Sequence, residues 1–451
     1  MRRALSRSVL LLGLLAVATP ARAQILSLDA RRVGMGGLNL QGGGDLSRYN
    51  AAYRAVPSRS RESRQPKATI PLPLGLIGFF RDHPPSQWDT DPLFDPKSPE
   101  FNPFELANLF LHPPLSIEVK KVPTPTNDVE FTIGRNELII DLGNAQVLIP
   151  SDDFGFGGNS RLLDFGIGFK GFRAGIMGWV YHDIRFALDD SLRGVLKDAR
   201  PVQPSMPYGL LPNWTAQTGI SPFVAYSGRV VGDSARAFYL GGAVRNYLGL
   251  AYGRAEGNIG FVTPNPIFGG SGPLERVDGL ATYSKFGNAV GKGWGGDVGF
   301  VYTSGPVEFG FGINDIGAKL TWSDTRRDSL YWNAAGDSVV SVMLQNHVES
   351  ETELPTSYIA NVALAMGTGT TVGANIVYNG RRTTITVGGE QRVGLVALRG
   401  GVGRDQRKKL ELGFGAGLYL GSISLDVGFA TYSVALTDAR GITMVTSLSI
   451  Y

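Results

Sequence analysis

The sequence predicts an all-β fold: a transmembrane antiparallel β-barrel with an N-terminal Pro/Gly-rich hatch or cap segment. Three observations carry this expectation. Apolar residues alternate with small or polar ones in runs of about 9 to 11 residues, the length a tilted strand needs to cross a bilayer. Tight turns alternate with longer connections along the C-terminal half. The 61 glycines and 26 prolines among 451 residues punctuate the chain too often for a helical bundle and lack the period of collagen.

Residues 1–23 read as a secretory signal peptide. Arg2, Arg3, Arg7 and Arg22 flank an apolar stretch from Val9 to Val17, and Ala21-Arg22-Ala23 supplies a small-x-small cleavage site before Gln24. That apolar core is too short for a stable transmembrane helix, and no later segment offers 18 consecutive apolar residues. The same four arginines account for the whole formal net charge of +4, so the remainder is balanced. With no basic stripe left, no nucleic-acid partner is expected. The absence of cysteine excludes disulfides, thiolate metal sites and cysteine nucleophiles.

Residues 24–125 form the expected hatch or cap with the first strand or strands. Pro71, Pro73, Pro84, Pro85, Pro92, Pro96, Pro99, Pro103, Pro113 and Pro114 are too dense for continuous ladders, and a short helix is expected near Phe104 to Phe110. Residues 126–451 form the barrel. Leu410, Leu412, Phe414, Ala416, Leu418 and Leu420 alternate with Glu411, three glycines and Tyr419, and Ile423, Leu425, Val427 and Phe429 repeat the pattern after Gly421-Ser422. A two-residue turn there pairs Leu420 with Ile423 and Leu418 with Leu425, so both apolar sets face lipid.

Similar runs start at Leu163, Trp294, Val307, Val372 and Thr383. Their opposite faces carry Asp164, Arg173, Arg245, Asp297, Glu308, Asn375 and many glycines, which suits a crowded polar lumen. Trp179, Tyr181, Trp294, Tyr302, Trp322, Tyr358, Tyr378, Tyr419, Tyr432 and Tyr451 fall near strand ends, as interfacial girdles require. Counting back from the C-terminus puts Gly421-Ser422, Val393-Gly394, Gly367–Thr370 and Gly305-Pro306 on the periplasmic side. The stretch from Ser323 to Pro355 then becomes a long extracellular loop. The Gly- and Pro-rich span Ala255 to Gly279 requires either a long connection or a further hairpin.

Glu390, Arg399, Glu411 and Asp426 are the lumen-lining candidates. A turn centred on Asp405 sets Arg399 opposite Glu411, with Glu390 in diagonal reach. Asn314, Asp315 and Gly317 are candidates for a kink in the wall. Apolar parity is odd through Val307, Phe309, Phe311 and Ile313 and then even at Ile316, Ala318, Leu320 and Trp322, which predicts a bulge at Asn314-Asp315. In the last strand Ile442, Met444, Leu448 and Ile450 share the outward phase and Tyr451 departs from it. His182-Asp183 are strand neighbours pointing to opposite faces, no Gly-x-Ser-x-Gly elbow is present, and four scattered histidines build no metal site. No catalytic residue, metal or cofactor is therefore expected, and the chain is not expected to be an enzyme.

The stretch LDARRVGMGGLNLQGGGDLSRYNAAY, with its "GMGG" core and Tyr49-Asn50-Ala51-Ala52, resembles the opening of FadL-type outer-membrane proteins. FGFGINDIGAKLTW, Phe309 to Trp322, and LPTSYIANVAL, Leu354 to Leu364, resemble strands of the PorV-like branch of that superfamily. The resemblance implies a barrel of about 14 strands with an N-terminal hatch, exported to the bacterial outer membrane. A FadL-like passive conduit for hydrophobic or amphipathic small molecules is the leading expectation. A PorV-like adaptor that docks secreted proteins or a secretion machine is the alternative. Outer-membrane lipid and the barrel-assembly machinery are the partners either role implies.

Overall fold

The computed structural model describes residues 29–40, 46–58, 68–72, 84, 86, 117–121, 129–133, 137–140, 153–198, 200–233, 235–265, 274–284, 291–333, 338–367, 369–380, 383–404, 410–431 and 442–451. The segment expected as a short helix, Phe104 to Phe110, lies outside them, as do His83, His112, Tyr432 and most of the proline-rich stretch.

Near the N-terminus come two short helices, α1 (Ala30–Gly34) and α2 (Leu46–Tyr49), then a 3-10 turn (Ala51–Arg54) and β1 (Ala68–Pro71). Strands β2 (Ile117–Lys121), β3 (Val129–Ile133) and β4 (Glu137–Ile140) make a separate three-stranded antiparallel sheet. A long meander follows: β5 (Asp153–Phe169), β6 (Phe172–Leu188), the helix α3 (Asp190–Asp198), β7 (Pro207–Gly232), β8 (Arg236–Val262), β9 (Leu274–Ser284), β10 (Gly291–Ser304) and β11 (Val307–Asn333). It continues with β12 (Ser338–Glu353), β13 (Ser357–Met366), β14 (Thr370–Tyr378), β15 (Thr383–Val393), β16 (Val396–Arg404), β17 (Leu410–Leu420), β18 (Ile423–Thr431) and β19 (Ile442–Ile450).

Among the described residues sixteen strands join in one antiparallel sheet, and a fourteen-strand path runs β1-β19-β18-β17-β16-β15-β14-β13-β11-β10-β8-β7-β6-β5. The other two are continuations. β9 pairs with β8 beyond the part that β10 pairs, and β12 pairs with β11 beyond the part that β13 pairs. The wall therefore has fourteen staves, two of them interrupted. Among the described residues no ladder joins β5 to β1.

The sheet curls on itself, because Arg161 on β5 contacts Asp297 on β10 and Asp315 on β11, four and five strands away along the path. Its outer face is apolar: Ile167 is 84% exposed, Phe169 72%, Leu420 57% and Leu425 47%. The inner face buries Arg245, Asp297, Glu308, Asn375, Glu390, Arg399, Glu411 and Asp426. Such an inside-out distribution suits a strand with lipid on one side and a packed lumen on the other. No helix among the described residues is long and apolar enough to cross a membrane.

The hairpin of β17 and β18 has the expected register, Leu420 opposite Ile423 and Leu418 opposite Leu425. Gly421, Gly394 and Gly305 take φ of 67°, 60° and 53° in tight turns, a conformation that glycine adopts without Cβ strain. The last strand keeps Ile450 outward, whereas Tyr451 turns in, its ring 6.0 Å from Tyr419 and its N–H donating to the Ser422 carbonyl.

One connection differs from expectation. The stretch Ser323 to Pro355 is not a loop, since β11 runs on to Asn333 and β12 returns as its partner. The span Ala255 to Gly279 takes the second of its two expected forms, a further hairpin: it holds the end of β8 and the start of β9, paired from Gly253↔Tyr283 to Val262↔Leu274. Polar strands that project past the wall have no lipid-facing side, so the alternation that marks the other staves is missing there.

Candidate functional site

The described part of the N-terminal segment between Asp29 and Ser58, called the hatch from here on, lies against the inner face of the wall on a bed of glycines. Asp29 caps α1, its carboxylate accepting from the Arg31 N–H at 2.9 Å. The helix packs on β16 to β19, and the Ala30 N–H donates to Ser447 Oγ at 3.2 Å. A Cβ at Gly401, Gly413 or Gly428 would overlap the hatch backbone at Met35, Gly36 or Ala30. The inward glycines of these strands therefore let two backbones meet. The second half of the hatch docks on the opposite wall. Asn50 accepts from the Ala52 N–H and donates through Nδ2 to the carbonyls of Phe300 on β10, at 3.1 Å, and Phe311 on β11, at 3.2 Å. Tyr53 OH accepts from Asn361 on β13.

A first charge network fixes α1. Arg31 grips Glu390 with Nε and Nη2 at 3.0 and 3.1 Å, a bidentate geometry. Arg399, directly opposite Glu390 in the β15–β16 ladder, meets it at 2.6 Å and Asp426 at 2.7 Å, and also donates to Tyr419 OH at 3.1 Å. Ser424 donates to Asp426 at 2.8 Å. Two guanidiniums and two carboxylates thus balance in a buried site. Glu411 is buried too, but it sits opposite Gly403, whereas Arg399 faces Gly415. The expected Arg399–Glu411 pair is corrected to Arg399 with Glu390 and Asp426. The physical reason is that alternation constrains face, not register, and a slide of an even number of residues, here four, leaves every side chain on its side.

A second network centres on Arg161, which is almost wholly buried on β5. Its Nη2 meets Asp297 Oδ1 at 2.7 Å and Asp315 Oδ1 at 2.8 Å, and its Nη1 donates to Asn314 Oδ1 at 3.0 Å. Arg245 on β8 holds the other oxygen of Asp297 at 2.5 Å. Asn159 and Tyr247 both donate to Asp315. The hatch enters through the Arg48 carbonyl and the Tyr49 hydroxyl, which accept from Arg161 Nη1 and from its backbone N–H. Beside it, Arg54 of the hatch and Arg173 share Asp164 at 2.6 and 2.9 Å.

The bulge is where the parity break placed it. Ile313 pairs with Val298 and Ile316 with Gly296, so Asn314 and Asp315 share Asp297 as their counterpart. Asp315 takes φ of 61°, and its N–H donates to Asp297 Oδ1 at 3.0 Å, closing the bulge from inside. A second irregularity follows between Ile316 and Lys319, where Gly317 has φ of 66°. Two bulges in succession restore the original phase. Ile316 faces outward as expected, but Ala318, Leu320 and Trp322 face inward and are fully buried, which corrects their expected lipid-facing placement. For the same reason Trp322 is no girdle residue, and neither is Trp179.

These inward residues build an apolar column with Met177, Phe223, Tyr247, Tyr252 and Leu354. Trp179 meets Tyr247 edge-on at 5.6 Å, and Tyr252 stacks on Trp322 at 5.3 Å. Beside the column the wall is interrupted. Between the Asn314↔Ser357 and Lys319↔Glu353 pairs the ladder on that side of β11 lapses, bridged by the Leu354 N–H donating to the Ala318 carbonyl at 2.9 Å. The polar half of the lumen was legible in the sequence. Arg31, Asn159 and Arg161 are not singled out by the sequence reading; the run of charge in Asp29-Ala30-Arg31-Arg32 is a signal for Arg31 alone.

No family model and no curated protein matches the chain. Among solved structures, the Pseudomonas putida toluene transporter TodX is similar at 12% identity and a TM-score of 0.37, over 74% of this chain and 84% of that one. The Ralstonia pickettii toluene transporter TbuX is similar at 12% identity and a TM-score of 0.32, over 66% and 89% of the two chains. A Pseudomonas aeruginosa FadL homologue is similar at 9% identity and a TM-score of 0.31, over 62% and 75%. At these levels of likeness, function rests on the chain's own geometry.

Proposed function

We propose that this protein is an outer-membrane conduit for hydrophobic or amphipathic small molecules. The observation that carries this reading is the buried apolar column, rich in aromatic rings, inside a wall whose inner face also carries charged and polar groups. A pore for water-soluble solutes gains nothing from Trp179, Tyr252, Leu320 and Trp322 in its interior, whereas an apolar cargo needs such a lining. The hatch and its two charge networks close the lumen below the column. The lapse in the ladder beside β11 gives cargo a way sideways into the bilayer, with Asn314, Asp315 and Gly317 shaping that edge.

The test is toluene uptake into outer-membrane vesicles that retain lipopolysaccharide, with and without the protein. Uptake should be faster with it, and Leu320→Asn, which plants an amide in the column, should slow it severalfold. Equal uptake with and without the protein would overturn the conduit. A second reading, an adaptor that docks exported proteins, is favoured by one feature: Val342, Met343 and Leu344 stand exposed on β12, beyond the interrupted stave. Retention of a partner protein by the wild type, lost in Met343→Glu, with no toluene flux, would select it.

A further inference from the structure

Beyond the Tyr252–Trp322 pair, the inner face of β8, β9 and β11 continues into a chamber of about 220 Å³ that is walled mainly by polar groups. The strand register explains its chemistry. Arg254 on β8, Thr282 on β9 and Arg327 on β11 lie in one cross-strand row, so two guanidiniums flank a hydroxyl on the same face. At a strand spacing of roughly 4.8 Å, the two arginine backbones stand about 10 Å apart.

The two arginines are not equivalent. Arg254 is satisfied by Glu256 at 2.8 Å. On the opposite face, Arg326 is held by Asp328 through two contacts of 2.6 and 2.9 Å. Arg327 has no ion pair among the described residues, and its buried Nε has no hydrogen-bond partner there. A buried donor left open is destabilising until an acceptor reaches it. Two carboxylates also line the chamber: Glu256, engaged by Arg254, and Glu351, which sits on β12 opposite Thr321 and is exposed to water. Around Arg327 stand Thr282 and Ser350, which carry hydroxyls, and Leu280 and the Tyr252 ring, which offer a small apolar surface.

We propose that this chamber is an oxyanion site, with the planar fork of Arg327 as its principal donor and Arg254, Thr282 and Ser350 as its surround. The ligand class is a carboxylate, phosphate or sulfate, borne by a molecule no larger than one ring or a short chain. The site is separate from the apolar column and stands whether or not the column conducts cargo. It gives the mouth of the protein a selection by charge that the column cannot supply.

The experiment is isothermal titration calorimetry on the purified full-length protein in detergent micelles, with benzoate, its neutral counterpart benzamide, and inorganic phosphate as probes. Benzoate should bind at least tenfold more tightly than benzamide, and Arg327→Gln should weaken benzoate at least tenfold. Phosphate binding with the same dependence on Arg327 identifies a free oxyanion as the ligand, and benzoate binding without phosphate identifies an acid-headed organic molecule. Equal binding of benzoate and benzamide, binding of neither anion, or anion binding unchanged in Arg327→Gln would overturn the site. Should Arg327→Gln fail to fold, Arg327→Lys keeps the charge and loses the fork: at least threefold weaker benzoate binding is expected, and unchanged binding overturns the proposal.

Discussion

Two of the places where the hatch meets the wall solve the same problem differently. At α1 the hatch brings a charge of its own, Arg31, to a regular part of the wall where Glu390 and Arg399 face each other in an unbroken ladder. At Arg161 the wall supplies the guanidinium and its carboxylates, and the hatch meets it through the Arg48 carbonyl and through the hydroxyl and ring of Tyr49. The wall there is irregular, bulged at Asn314-Asp315 and held in that shape by the same carboxylates that hold Arg161. The first anchor thus fastens a helix to a finished sheet. The second sets the shape of the sheet itself, and the hatch rests on the result.

The largest effect should come from the second anchor. Arg161→Met leaves Asp297 and Asp315 buried near each other with one guanidinium fewer, and breaking a buried pair by removing one partner costs about 3–5 kcal/mol. Urea unfolding from micelles should show that loss. A loss below about 1 kcal/mol would mean that Arg245, Tyr247 and Asn159 suffice to hold the bulge. Arg31→Met should cost less, about 1.5–3 kcal/mol, because Glu390 keeps Arg399 at 2.6 Å. It should also raise protease access to the hatch while the barrel stays folded. Intact barrel with a released hatch in Arg31→Met, against a destabilised barrel in Arg161→Met, is the outcome that separates the two anchors.

Glycine substitutions probe the seat of α1 alone. Gly401→Ala drives a Cβ into the Met35 backbone, and overpacking of this kind costs about 1–3 kcal/mol. Its neighbour Gly400 has open space around a built Cβ, so Gly400→Ala should fall within about 0.5 kcal/mol of wild type. Equal effects from the two would show that the hatch does not rest on the inward glycines.

Face was far more legible in the sequence than register or partner. The alternation from Leu410 to Phe429 placed both apolar sets on the lipid side and the turn at Gly421-Ser422, because one lipid-facing side forces parity. The same parity could not separate Glu411 from Gly415 as the residue opposite Arg399, since both share a face. The bulge at Asn314-Asp315 left a trace in parity. The second irregularity, at Gly317, cancelled it, and Leu320 and Trp322 were placed in lipid when they line the interior. The inward glycines at 401, 413 and 428 were visible as a pattern, but the segment that covers them lies hundreds of residues away. No local signal names Arg31 as the partner of Glu390.

That distance has a consequence for biogenesis. Ala30 is held by Ser447, 417 residues further along, and α1 packs on β16 to β19 while its Arg31 reaches Glu390 on β15. The seat for α1 exists only when the last staves are in place, so closing this loop is among the final steps on the route to the finished protein, and among the slowest. Until then the lumen is unplugged on that side. A wall that lacks β19 also lacks the Ser447 hydroxyl that holds Ala30, so α1 and the last stave depend on each other for their final fit.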